Sequence, residues 1–282
     1  MTVTTGTPPS PARPAGPARS VAAAPGGDVT VEIDVLSNAG GRSSGYLVRH
    51  GATSVLVDCG PGTSVTLVER GHIEALDAVV VTHEHADHAS DVIGLAYARQ
   101  FPERMHPIPL LAPASTLHAL RHLDGLFAVP TSCDVGRTIT SSFEMEALRM
   151  DGTPSALAGL SLAAHAVSHA VPSAALRFVA GDASVTFSSD TGACDALVEA
   201  ARDADLFVCE STFLAGPPEQ LDDHGHLTAA LAAEMAGRAG ARRVVLTHFS
   251  RADHVPVALA TVRRALGEVA VDAAAPGGTL VL

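Results

Sequence analysis

The sequence predicts a mixed α/β sandwich, and three observations carry the prediction. From Val29 onward, short apolar runs rich in β-branched residues recur along the chain. They alternate with longer segments of helical spacing. Polar, chemistry-bearing residues collect where several of the apolar runs end. In chain order, strands are expected over Val29 to Val35, Gly45 to Arg49 and Ser54 to Val57, followed by a helix beginning near Ser64. A strand over Ala78 to Val81 leads to a helix near Ser90, and one over Ile108 to Leu111 leads to a helix near Ser115. The second half reads as strands at Leu160 to Ala164, Ala175 to Val179 and Val185 to Ser188. A helix from Asp195, a strand at Leu206 to Cys209, a helix from Thr228, a strand at Arg243 to Leu246 and a helix from Val255 complete it. Gly181-Asp182 between two of these runs has the composition of a tight turn.

With 282 residues and 47% hydrophobic content, the chain can bury one large core, so residues 29–282 are read as one catalytic domain. Residues 1–28 are dominated by Pro, Ala, Gly, Ser and Thr and have no periodic apolar face, which predicts a disordered tail. The net charge of −12 repels polyanions at long range. A small-molecule substrate is therefore expected and nucleic acid is disfavoured. All 18 basic residues are arginine, which suits bidentate contacts but locates no site. Cys59, Cys133, Cys194 and Cys209 show no C-x-x-C spacing and are expected as free thiols. No run approaches the roughly 18 to 20 apolar residues of a membrane span, and no signal-like N-terminus precedes the domain, so a cytoplasmic protein without a membrane partner is expected. A homodimer is compatible with all of this.

The strongest local signal is Thr82-His83-Glu84-His85-Ala86-Asp87-His88, directly after Ala78-Val79-Val80-Val81. Three imidazoles and a carboxylate so close together cannot be packed core, because each would need its own partner away from water. Neutral imidazole and carboxylate suit Zn²⁺, with Mn²⁺ and Fe²⁺ as rivals. Further candidate ligands follow other strands: His169 after Leu160 to Ala164, Asp190 after Val185-Thr186-Phe187, and His248 after Val244-Val245-Leu246. Ligands set at one sheet edge are held rigidly while the interior stays apolar.

The series H-x-H-x-D-H, then His, Asp and His, resembles the metallo-β-lactamase superfamily over residues 29–282. The resemblance implies a four-layer αββα sandwich and two divalent metal ions. His83, His85 and His169 would bind one ion and Asp87, His88 and His248 the other, with Asp190 bridging and a hydroxide between the ions as nucleophile. His165 competes with His169 for the third position, but Ala166 to Ser173 is similar to the superfamily's third-ligand segment and favours His169. Asp58, after Leu56-Val57, resembles a carboxylate that orients a ligand, with a simple turn role as the alternative. His50, His72, His106, His118, His122 and His254 lack such spacing and are read as ordinary surface or helix histidines.

The ligands alone do not separate lactonases, thioesterases and phosphodiesterases. Ala204 to Phe213 and His224-Gly225-His226-Leu227-Thr228 resemble two motifs of ribonuclease Z-like phosphodiesterases. The resemblance implies a Glu210–His226 pair beside the metals, and Asp87, His226 and Glu210 are carried as catalytic candidates. A histidine held by a carboxylate can protonate an alkoxide leaving group. A helix-terminal role for His226 is the rival, and His224 is read as solvated loop. The short spacing from His169 to Asp190 leaves no room for the tRNA-gripping arm of ribonuclease Z, and the early glycine-rich loop is degenerate from Leu36 to Ser44. The chain is thus similar to compact, armless relatives, and a small phosphodiester such as a cyclic nucleotide is the expected substrate. A lactone or thioester hydrolase is the first alternative. A tRNA 3′-processing endonuclease and a non-catalytic metal-binding module are further ones.

Overall fold

The computed structural model describes residues 30–38, 42–127, 138–215 and 225–282. The tail of residues 1–28, Cys133 and His224 lie outside the described residues, as does part of the early glycine-rich loop.

In the first half, β1 (Val31–Ser37), β2 (Gly45–His50) and β3 (Thr53–Val57) form an antiparallel meander, and α1 (Thr63–Glu69) crosses to β4 (Ala78–Val80). The short α2 (Ala86–Ala89) and α3 (Val92–Gln100) lead to β5 (Ile108–Ala112). Then α4 (Ala114–Phe127) and α5 (Thr138–Ser142) lead to β6 (Phe143–Ala147). In the second half, β7 (Ser155–Leu157), β8 (Leu160–Val167), β9 (Ser173–Ala180) and β10 (Ala183–Phe187) are again antiparallel. From there α6 (Asp195–Ala200), β11 (Leu206–Glu210), α7 (Ala229–Ala239), β12 (Arg243–Thr247), α8 (Val255–Leu266) and β13 (Ala270–Ala273) alternate, which makes the last strands parallel. Finally β14 (Thr279–Val281) returns to pair with β1.

Among the described residues the result is two seven-stranded sheets, ordered β14-β1-β2-β3-β4-β5-β6 and β13-β12-β11-β10-β9-β8-β7. Because successive strand residues point to opposite faces, each central strand feeds two cores. Val55 and Val57 enter the core between the sheets, while Leu56 packs outward against α1, α3 and α4. Likewise Val208 and Val245 face the other sheet, while Phe207, Cys209, Val244 and Leu246 pack against α6, α7 and α8. These three apolar layers are the seams of a four-layer αββα sandwich, as expected. Strands buried on both faces read as continuous apolar runs in the sequence.

The ten expected strands are all present, and the departures are instructive. The four strands that the sequence does not announce, β6, β7, β13 and β14, are the four sheet edges. An edge strand has one unpaired side and needs less apolar cover, and β6 accordingly carries Glu144 and Glu146. Gly181-Asp182 is the turn between β9 and β10, with Gly181 at φ 58°. Cys59, Cys194 and Cys209 are free thiols. Among the described residues, no helix is long and apolar enough to cross a membrane.

Candidate metal centre

Six strands deliver side chains to one edge of the sandwich. Asp58 follows β3, the His83–His88 loop follows β4, His169 follows β8, Asp190 follows β10, Glu210 ends β11 and His248 follows β12. Asp58, Ser189 and His248 adopt left-handed backbone at φ 59°, 56° and 55°. Such a conformation is unfavourable for residues with a Cβ and persists where the surroundings enforce it. Here it turns each chain sharply as it leaves its strand and aims a side chain into the common edge.

Two sets of donor atoms converge there. One atom from each of His83, His85, His169 and Asp190 lies within 4.8 Å of the others, and the same holds for Asp87, His88, Asp190 and His248. Asp190 belongs to both sets. His169 Nε2 is 3.1 Å from His85 Nδ1, His88 Nε2 is 3.2 Å from Asp190 Oδ1, and His248 Nε2 is 3.2 Å from Asp87 Oδ2. His83 Nε2 lies 3.6 Å from Asp190 Oδ2. Ligands about 2.0–2.1 Å from a tetrahedral ion stand roughly 3.3 Å apart, so these spacings fit shared cations.

Outside these sets, a layer of hydrogen bonds decides which ring nitrogen faces inward. His88 Nδ1 donates to Asp58 Oδ2 at 2.7 Å, His169 Nδ1 to the Gly225 carbonyl at 2.8 Å, and His248 Nδ1 to Thr212 Oγ1 at 2.9 Å. His83 Nδ1 lies 3.1 Å from Thr82 Oγ1, which in turn donates to Asp58 Oδ1 at 2.9 Å. Each of these rings therefore presents Nε2 as a lone pair. His85 is turned the other way and presents Nδ1. Buried His83 Nε2 and His88 Nε2 have no hydrogen-bond partner among the described residues. Buried polar atoms are normally satisfied. Two orphaned imidazole nitrogens facing a carboxylate are what a cation site requires, so the donor set fits divalent metal.

Electrostatics point the same way. Burial holds His83 well below the ordinary histidine value and also lowers His169, which keeps both neutral. Burial, the largest single effect, would lower His88 and His248, but their carboxylate neighbours together outweigh it and both are raised, by Asp190 and Asp58 at His88 and by Asp190 and Asp87 at His248. Burial would raise Asp190, yet His88 and His248 hold its carboxyl well below the usual range. The carboxylates thus favour positive charge at this centre, which is the charge that divalent cations would supply.

Beside these ligands stands the pair Glu210 and His226. Glu210 is 1% exposed. Its Oε1 accepts from His226 Nδ1 at 3.1 Å and from the Thr191 amide at 2.7 Å, and its Oε2 from Thr212 Oγ1 and the Leu227 amide at 3.1 Å. The His226 ring stacks on His248, with centroids 5.5 Å apart and an interplanar angle of 13°, and meets His169 edge-on at 5.0 Å. Burial opposes a charge on His226, but the Glu210 carboxylate outweighs it and the imidazole is raised above its ordinary value. The cap of α7 is Thr228, whose hydroxyl accepts from the Leu231 amide, so the helix does not use His226 as its cap.

A family model described as a beta-lactamase superfamily domain matches residues 53–249. The chain belongs to the beta-lactamase superfamily. Within it, the chain is 30% identical over 259 residues to a ribonuclease Z of Streptomyces coelicolor, covering 79% of this chain and 86% of that one. Among solved structures it is similar to the metallo-beta-lactamase fold protein YhfI of Bacillus subtilis, with TM-score 0.77, 23% identity and coverage of 90% of this chain and 100% of that one. It is also similar to yeast PDE1, with TM-score 0.71, 15% identity and the same two coverages. These two likenesses establish the metallo-β-lactamase fold.

The structure brings together all nine expected site residues: His83, His85, Asp87, His88, His169, Asp190, Glu210, His226 and His248. His165 does not join them. It bridges Asp151 on β8, away from the cluster. Asp58 does what its resemblance implies, holding His88. Sequence reading missed Thr212 and Thr82. Thr212 Oγ1 links Glu210 to His248 while Glu210 holds His226 directly, just as Thr82 Oγ1 links Asp58 to His83 while Asp58 holds His88. Their only sequence signal is adjacency, Thr82 to His83 and Thr212 to Glu210 two residues earlier.

Proposed function

We propose that this metallo-β-lactamase-fold hydrolase is a phosphodiesterase of a small phosphodiester, with a cyclic nucleotide as the best candidate. His83, His85 and His169 would hold one divalent ion and Asp87, His88 and His248 a second, with Asp190 shared and zinc favoured over manganese or iron(II). When bound, two such ions supply Lewis acidity, neutralising charge on the ester and lowering the pKa of water. The protein's own contribution to bond breaking is His226. Its Nδ1 is committed to Glu210, so the proton available for transfer sits on Nε2. An alkoxide leaving a phosphodiester is a strong base, and protonating it lowers the barrier. Glu210 keeps the imidazole charged and fixes its tilt.

That pair is the observation that carries the reading. A thiolate leaves without a proton, so a thioester hydrolase has less use for it. The ribonuclease Z relative and the fold likeness to yeast PDE1 support phosphodiester chemistry in general. The tRNA-processing alternative is disfavoured on two grounds. Between His169 and Asp190 the chain forms only the β9–β10 hairpin with its Gly181-Asp182 turn, and the net charge is −12.

The test is turnover of bis-p-nitrophenyl phosphate and of cyclic nucleotides against acyl thioesters and lactones by the metal-loaded protein. Phosphodiester turnover exceeding the acyl substrates supports the assignment. Thioester or lactone turnover with inert phosphodiesters overturns it.

A further inference from the structure

His118 and His122 belong to neither donor set of the metal centre and are both exposed on α4. A spacing of four residues sets them one above the other on the same side of a helix. Their rings meet edge-on, with centroids 4.3 Å apart and an interplanar angle of 73°. In the metal centre, His83, His85 and His169, which share one donor set, stand 4.7–5.0 Å apart at 76–79°. The α4 pair thus comes close to the separation and tilt of imidazoles that converge on one ion site. A hydrogen bond prepares it further. His122 Nδ1 donates to the His118 carbonyl at 3.0 Å, which leaves Nε2 as the lone pair and ties the ring to the turn that carries His118. Ligand histidines commonly anchor their other nitrogen in this way, as His169 does on the Gly225 carbonyl. The space in front is open: His118, Arg121, His122, Gly125 and Leu126 line an exposed hollow of about 490 Å³. Gly125 puts no side chain into it, which leaves room for the water or anion that would complete an ion's coordination. Arg121 opposes a cation there, but water and salt screen exposed charges. Neither histidine holds α4 on the domain, since its buried face is made by Thr116, Leu117, Leu120 and Asp124.

We propose that His118 and His122 form a separate surface metal site that takes one late first-row divalent ion, Cu²⁺ or Ni²⁺ ahead of Zn²⁺, through two imidazoles. Two histidines at i and i+4 on one helix face is the spacing at which a helix binds zinc, and affinity for nitrogen ligands rises toward copper. Mg²⁺ and Ca²⁺, which seek oxygen ligands, do not suit it. Each donor set of the metal centre has four residues and this site has two, so it is the weaker one and fills last. The site stands whether or not the centre cleaves phosphodiesters.

The experiment uses the full chain, first loaded with zinc. Cu²⁺ is titrated in and followed by electron paramagnetic resonance, while any zinc released is counted with a chromogenic chelator. Copper bound in excess of zinc released measures the surface site. Wild type should take up about one such copper per chain, with a spectrum that carries the coupling of nitrogen ligands. His118→Ala and His122→Ala should each weaken this uptake by at least about tenfold, the lower end of what losing even a supporting residue of a metal site costs. Both positions are exposed, so the fold should survive either change. His106→Ala, which removes another exposed histidine, should leave the uptake as it is. No excess copper in the wild type overturns the proposal. So does an excess that His118→Ala and His122→Ala leave as tight as before, or one that His106→Ala weakens as much as they do.

Discussion

Replacing Asp58 by Asn tests whether hydrogen bonds outside the ligand set prepare the metal centre. The Asp58 carboxylate accepts four hydrogen bonds: from His88 Nδ1 at 2.7 Å and Ser44 Oγ at 3.0 Å on Oδ2, and from the Thr82 amide at 2.8 Å and Thr82 Oγ1 at 2.9 Å on Oδ1. Asparagine has one acceptor oxygen and one donor nitrogen, so whichever way it lies, its N–H₂ group meets a donor. Ser44 and Thr82 hydroxyls can rotate to accept, but the Thr82 amide cannot. The orientation that spares that amide turns the N–H₂ toward His88. His88 can relieve the conflict only by moving its proton from Nδ1 to Nε2, which removes the lone pair the metal needs. The expected loss in metal affinity is about 10- to 100-fold, the usual effect of such supporting partners. That corresponds to about 1.4–2.8 kcal/mol. A buried donor left unsatisfied also costs about 1–3 kcal/mol, and at about 2–4 °C per kcal/mol the metal-free protein should melt roughly 2–12 °C lower. Affinity is measured by competition with a chromogenic chelator and stability by thermal denaturation. An Asp58→Asn protein that binds metal within twofold of wild type would refute the tautomer argument.

Gly60→Ala should be severe, because a Cβ there would stand 1.8 Å from the Asp87 carbonyl oxygen, a backbone atom that cannot swing aside; Gly125→Ala, with open space around it in α4, should be neutral or stabilising by up to about 1 kcal/mol when both are compared by melting and metal titration. Metal affinity should fall as pH falls, because His88 and His248 are raised by their carboxylate neighbours and a proton must leave each before it can ligate. A flat affinity between pH 5 and 8 (about the range of histidine titration) would contradict that. His226→Ala should slow esters with basic leaving groups by about 10² to 10⁴ fold while p-nitrophenyl esters lose far less. Since Glu210 raises His226, the protonated acid persists above the ordinary histidine value and activity falls as pH rises through the raised one. Glu210→Gln should move that alkaline limb to lower pH, and a limb that stays put would remove His226 from the acid role.

Much of this centre is legible in the chain because chemistry there runs against packing. Imidazoles and carboxylates at the ends of apolar runs have no place in a core, so the His83–His88 loop, His169, Asp190 and His248 stand out. The interior strands are legible for the opposite reason: burial on both faces, as at Val55-Leu56-Val57, demands unbroken apolar runs. Edge strands escape detection because one side faces no partner, and β6 with Glu144 and Glu146 resembles a loop. Thr82 and Thr212 escape because a threonine is ordinary in sequence and acquires meaning only when its hydroxyl lies between a carboxylate and an imidazole.

The central claim is that two divalent ions on the shared Asp190 site enable phosphodiester hydrolysis, and titrating the demetallated protein tests it most directly. Zinc or manganese is added in known ratio while bis-p-nitrophenyl phosphate turnover and bound metal are followed together. Turnover should be absent at the start and should reach its plateau near two ions per chain, and Asp190→Ala should neither fill both sites nor turn over. Full activity in the demetallated protein, or a plateau in Asp190→Ala equal to that of the wild type, would contradict it.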